Sequence, residues 1–109
     1  MIRGEIWTGT DDIDYAGKPR PIVIIQHANF EVLDSVTICG FTGDQTDLPL
    51  FRILIEPSAS NGLRSSCRVM VDKILTIRKR KLGYRIGRLE DKDIARLDRA
   101  IATFLGLAD

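Results

Sequence analysis

Apolar and β-branched residues come in short bursts along the first four-fifths of the chain, and each burst ends in turn-forming residues. Residues 2–8 alternate weakly between apolar and polar positions, as a half-buried strand does. Residues 21–26 carry the unbroken run Ile22, Val23, Ile24, Ile25, the pattern of a strand buried on both faces. Residues 35–41 and 51–56 follow, rich in β-branched and aromatic side chains, and a further strand is expected over 68–72, with more β character through 74–77 and 84–86. Gly, Asp, Asn, Ser and Pro collect between them, at 8–14, 43–49 and 57–62.

The period then changes. Ile94, Leu97, Ile101 and Leu105 recur at three- and four-residue steps, with Ala100 and Phe104 beside them, which predicts an amphipathic helix over about 91–105. Asp91 and Asp93 suit its positive N-terminal end, and Gly106 can terminate it. Short strands with one terminal helix imply a mainly β (α+β) domain, a compact antiparallel barrel or strongly bent sheet with the helix over an open face. A length of 109 residues fits one domain spanning residues 1–109 with a single modest core.

Composition changes this picture little. Hydrophobic residues at 44% and charged residues at 28% are ordinary for a globular chain. No run approaches the ~18 apolar residues of a membrane span, and residues 1–5 lack the apolar core of a signal peptide, so a cytoplasmic protein without membrane contact is expected. Cys39 and Cys67 have no CxxC spacing, and His27 is the only histidine, so no metal site and two buried free thiols are expected.

Charge is more informative in its distribution than in its sum. The net charge is +1, yet residues 64–88 hold nine bases against one acid, while residues 1–60 hold nine acids against four bases. The run Arg78, Lys79, Arg80, Lys81 reads as a solvated turn, a source of phosphate contacts or an attractor of an acidic partner. A second feature is Gly17-Lys18-Pro19-Arg20-Pro21, which places one arginine between two prolines at the mouth of the apolar run. Each proline restricts its own backbone and the residue before it, so Arg20 is held stiffly, either solvated or as a planar fork for two phosphate oxygens.

Taken together, the Gly4-Glu5-Ile6-Trp7 start, Arg20-Pro21 leading into a central strand, Thr42 closing the next one, residues 70–77 and the terminal helix ending Phe104-Leu105-Gly106-Leu107 resemble the MazF/PemK family of toxin endoribonucleases. The resemblance runs the full length, and its specificity lies in the conjunction of weak motifs. It implies the CcdB/PemK-type fold, an SH3-like barrel, and a homodimer that cleaves single-stranded RNA at selected sequences without metal or cofactor. It also implies a cognate antitoxin whose acidic tail occupies the RNA groove. In the family the arginine of the Arg-Pro motif and the threonine after the third strand form the catalytic pair, here Arg20 and Thr42. Tyr15, Lys18 and Arg78, Lys79, Arg80 and Lys81 are the expected RNA contacts.

The chemistry suits those residue types. Attack by the RNA's own 2′-hydroxyl needs no protein nucleophile, only positioning, charge stabilisation and proton transfer. A guanidinium is a poor general base because it stays protonated at neutral pH. Some relatives carry a glutamate or histidine in the loop before the Arg-Pro motif; this chain offers Asp12 or Asp14 there, residue types that usually solvate or cap a turn. Certain relatives use an arginine where Met70 stands, and Cys67 stands where a serine is common. His27 is expected to bond backbone in a loop, Trp7 to join the core rather than stack on a base, and Cys67 to pack rather than react. Two other readings share the pattern: a CcdB-like toxin that poisons gyrase by binding, and a non-catalytic SH3-like binding module.

Overall fold

A computed structural model describes residues 1–10 and 19–108. Six strands, β1 (Glu5–Gly9), β2 (Arg20–Ile24), β3 (Ser35–Thr42), β4 (Arg52–Ile55), β5 (Cys67–Arg78) and β6 (Leu82–Arg88), precede one helix, α1 (Asp91–Phe104). They form one antiparallel sheet in the order β4-β5-β3-β2-β1-β6. The expected mainly β architecture with a terminal helix is therefore what the chain adopts.

The central strand behaves as its apolar run demands. Val23 points into a core with Ile6, Cys39, Phe41, Ile53, Ile55, Val69, Val71 and Leu97, while Ile22 and Ile24 join Val36 and Ile38 on the opposite face. Trp7 packs against that second cluster, so it serves the core. The helix covers the first face through Leu97 and Ala100, and the stripe stops earlier than its periodicity suggests: Phe104 and Leu105 are exposed. Gly106, at φ 78°, ends the helix, with Leu107 N–H donating to Ala102 O at 2.8 Å.

Two boundaries differ from expectation for local reasons. Strand β1 begins at Glu5, because Gly4 takes φ 90° and its N–H donates to Ile24 O at 2.7 Å. Residues 68–72 and 74–77 belong to one twelve-residue strand, whose register on β3 shifts between Cys39 and Phe41. Such a bulge bends a sheet and raises its twist.

The two outer strands of the sheet are tied together by a loop. After β4 the chain folds back onto β6, where Arg88 N–H donates to Ser60 O at 2.8 Å. The approach is so close that a Cβ on Gly87 would lie 2.5 Å from Ser60 O. Asn61 organises this loop from a fully buried position: its Oδ1 accepts from Ser58 N and Leu63 N, each at 3.0 Å, and its Nδ2 donates to Glu56 O at 2.9 Å.

Candidate active site

Arg20 opens β2 and Thr42 closes β3. The β2–β3 ladder pairs Ile24 with Ile38 and Ile22 with Gly40, and the same register continued by two residues sets Arg20 across from Thr42. The paired bonds stop short of Pro21, which has no N–H to give them. A cleft of about 710 Å³ lies at this end of the sheet, and Arg20, Pro21, Phe41 and Thr42 all line it. Its other wall comes from Arg64, Ser65 and Ser66 of the returning loop, from Cys67 at the start of β5, and from Tyr84 and Arg85 of β6.

Thr42 Oγ1 accepts the Asp44 N–H at 3.1 Å, a bond that does not use the hydroxyl's own proton. The turn beyond it is tightly bonded. Asp44 Oδ1 accepts from Thr46 N at 2.9 Å and Thr46 Oγ1 at 2.7 Å, and these bonds hold the Asp44 carboxyl below its usual range.

On the far wall, Arg85 Nε donates to Glu5 Oε2 at 2.9 Å. Burial works against the Glu5 charge, but the Ile2 amide, the Trp7 indole and the Arg85 guanidinium together keep its pKa lowered. Tyr84 stands 70% exposed in the same region, an aromatic face open to solvent. Ser66 Oγ donates to Glu56 Oε2 at 2.7 Å.

The other residues singled out by sequence take varied places. Burial pushes the Cys67 thiol up to about 11, so it is protonated at neutral pH and unsuited to nucleophilic work. Cys39 is raised to about 12 by burial first and by the Asp72 charge second. Both thiols are free, Cys39 buried and Cys67 half-buried. His27 lies away from the cleft, where its Nδ1 accepts from Asn29 N at 3.0 Å and caps the 3₁₀ turn Ala28–Phe30. Asp12, Asp14, Tyr15 and Lys18 lie outside the described residues.

Arg78 ends β5, and Lys79, Arg80 and Lys81 form the 3₁₀ turn that leads into β6. None of the four lines the cleft. The Lys79 ammonium instead donates to the Glu31 carbonyl, and the Lys81 carbonyl accepts from Thr10 N at 3.1 Å. Basic residues that do line it, Arg64 and Arg85, come from either side of that run within the same cation-rich segment. Alternation along β5 was the sequence signal for one more residue: Arg68 shares a face with Met70 and Asp72, opposite core Val69 and Val71. Asp72 forms a two-bond pair with Arg52, 2.8 and 3.0 Å, which lowers the Asp72 pKa. Among the described residues no three His, Cys, Asp or Glu side chains gather where they could hold a metal.

Comparison with known proteins places this arrangement. Residues 2–105 match the family described as PemK-like, MazF-like toxin of type II toxin-antitoxin system. A probable endoribonuclease MazF of Mycolicibacterium smegmatis is 45% identical over 108 residues, covering 99% of each chain. The solved Mycobacterium tuberculosis toxin MazF-mt6 superposes with a TM-score of 0.81 at 26% identity, over 96% of this chain and 99% of that one. A mycobacterial endoribonuclease solved in complex with its cognate antitoxin shares the fold, with a TM-score of 0.80 at 22% identity over 100% and 98% of the two chains. With the profile and the relative both spanning nearly the whole length, the chain belongs to the PemK-like, MazF-like family of type II toxin-antitoxin toxins.

Proposed function

We propose that this chain is the toxin of a type II toxin-antitoxin pair and acts as an endoribonuclease on single-stranded RNA, with Arg20 and Thr42 as its catalytic pair. The observation that carries this reading is that Arg20 opens β2 and Thr42 closes β3 at the same end of the sheet, where both line one cleft. An RNA phosphate bound there would meet a guanidinium fork and a hydroxyl donor at once.

In the reaction the 2′-hydroxyl oxygen bonds to the neighbouring phosphorus and the bond from phosphorus to the 5′-oxygen breaks. Charge builds on the non-bridging oxygens of the pentacoordinate species, where Arg20 stabilises it and Thr42 donates a hydrogen bond. The 2′-hydroxyl gives up a proton and the departing 5′-oxygen takes one. Neither Cys67, protonated at neutral pH, nor His27, away from the cleft, accounts for that transfer. Asp12 and Asp14 remain as proposed carboxylates for it. Arg64 extends the positive wall for neighbouring phosphates, Tyr84 offers a stacking face, and Tyr15, Lys18 and Arg78 to Lys81 are proposed as outer RNA contacts.

The relatives solved with antitoxins support a cognate antitoxin for this chain, whose acidic tail would compete with RNA for the same cations. We further propose a single domain over residues 1–109, a homodimer that joins two clefts across a two-fold axis, and a cytoplasmic location. No helix among the described residues is long and apolar enough to cross a membrane. The test is incubation of the purified protein with end-labelled single-stranded RNA in EDTA. Discrete fragments are expected; RNA left intact over a range of sequences would remove the nuclease reading.

A further inference from the structure

Arg68 is only 9% exposed, an unusual place for a guanidinium. Burial of a charge is costly unless hydrogen bonds or an opposite charge compensate it. Among the described residues its hydrogen-bond acceptors are neutral, Nη1 donating to Gln45 Oε1 at 2.9 Å and, at 3.4 Å, to the Asp44 carbonyl, while the Asp44 carboxylate compensates the charge from farther off. An alkyl side chain would fill the position at lower cost, so the cation is best explained by what it holds.

What it holds is the turn after Thr42. Arg68 is the ladder partner of Thr42 across β3 and β5, and partners in a ladder share a face. Thr42 in turn shares the cleft with Arg20, which lies two residues beyond the last β2–β3 pair, so the ends of three neighbouring strands bring Arg20, Thr42 and Arg68 to one end of the sheet. The Asp44 N–H that donates to Thr42 Oγ1 belongs to the same turn. The remaining bonds of residues 43–46 are local: Gln45 Nε2 donates to Gly43 O at 2.9 Å, and Asp44 takes both donors of Thr46. Among the described residues, Arg68 is the one residue distant in sequence that bonds this turn.

We propose that Arg68 is a positioning residue: by clamping Gln45 and the Asp44 carbonyl it sets the turn that orients the Thr42 hydroxyl toward the RNA phosphate. The inference rests on the reading of Thr42 as a phosphate-contacting residue, and it adds a residue that does not touch substrate itself. One nitrogen, Nη1, reaches acceptors on two successive residues, closely at Gln45 and more loosely at the Asp44 carbonyl, and the planar guanidinium holds that nitrogen in a fixed direction. A misplaced hydroxyl costs rate, up to roughly 100-fold for a displacement near 1 Å, without removing the charge that binds RNA.

The test combines backbone amide exchange with cleavage kinetics on Arg68→Met, Arg68→Lys and Gln45→Ala. In Arg68→Met the Asp44 and Thr46 amides should exchange faster while Ile38 in mid-β3 keeps its protection. The cleavage kcat should fall by roughly 10- to 100-fold with KM little changed, Arg68→Lys should recover part of the loss, and in a Thr42→Ala background Arg68→Met should cost almost nothing more. If Arg68→Met does not fold, Gln45→Ala, on the exposed turn, removes the 2.9 Å bond of the clamp and should speed Asp44 exchange and lower kcat in the same direction, by less. Unchanged Asp44 exchange in a folded variant, or full loss in both backgrounds, overturns the positioning role. A wild type that cuts no RNA would remove the nuclease reading, and the exchange result would still decide the clamp.

Discussion

Asn61→Ala should destabilise the protein by about 3 kcal/mol, taking roughly 1 kcal/mol for each of the three hydrogen bonds it removes. The side chain is fully buried and makes all three bonds to backbone: from Ser58 N and Leu63 N to its Oδ1, and from its Nδ2 to Glu56 O. Alanine deletes the partner and leaves two N–H groups and a carbonyl short, in a loop that must still pass Gly87 at close range. For a chain of 109 residues that loss corresponds to a fall in Tm of roughly 13 °C. The assay is thermal unfolding followed by circular dichroism, at one protein concentration because any dimer makes Tm concentration-dependent. Asn61→Asp keeps the acceptors but loses the donor to Glu56 O, so it too should fall, by a different amount. A drop in Asn61→Ala corresponding to less than about 1 kcal/mol would mean that water or loop movement satisfies those groups. The claim that Asn61 organises the loop after β4 would then fail.

Other outcomes follow from the same structure. Cys67→Ser should leave RNA cleavage near wild type, and iodoacetamide should label native Cys67 far more slowly at pH 8 than an ordinary thiol; fast labelling would contradict a pKa near 11. Because Cys39 and Cys67 are raised above their unfolded values, the stability they contribute is present below about pH 9 and is lost as pH climbs through 11 and 12. Denaturant titrations at pH 8 and pH 10.5 should show the decline, which Cys39→Ala with Cys67→Ser would flatten. Gly87→Ala should cost about 1–3 kcal/mol, since its Cβ would strike the Ser60 carbonyl at 2.5 Å; an unchanged Tm would show that the loop yields freely. Replacing Arg78, Arg80 and Lys81 by Gln should weaken RNA binding and reduce its salt slope by roughly 0.7 for each phosphate no longer neutralised, with kcat preserved; an unchanged slope removes the run from the interface.

How far the sequence foretold this can be judged residue by residue. The four-residue apolar run starting at Ile22 announced a strand buried on both faces, and β2 is one, because each face meets its own cluster. The helix was legible from period and caps, and His27 and Trp7 took the roles their types favour. Less was visible where a polar residue does structural work. Asn61 sat in a stretch of turn residues with nothing to mark it as buried, and Arg68 counted as one more cation in a basic segment. Periodicity also split β5, since Lys73 is exposed between half-buried neighbours and the bulge opposite Gly40 breaks the alternation. The Arg20 and Thr42 pairing became concrete only through register, a property of two strands rather than of either. The far wall of the cleft was hidden for the same reason, because Arg64 and Tyr84 come to line one cleft only after the loop from β4 returns to β6.

The central claim is that Arg20 and Thr42 carry the chemistry, and single-turnover cleavage of one defined RNA by Arg20→Ala and Thr42→Ala tests it most directly. Both variants should keep the wild-type circular dichroism spectrum and oligomeric state, since Arg20 is exposed and Thr42 is half-buried at a strand end. Each should lose roughly 100- to 1,000-fold in rate, the usual cost of removing one donor aimed at developing charge. A folded Arg20→Ala or Thr42→Ala protein that still cuts RNA at the wild-type rate would contradict the account.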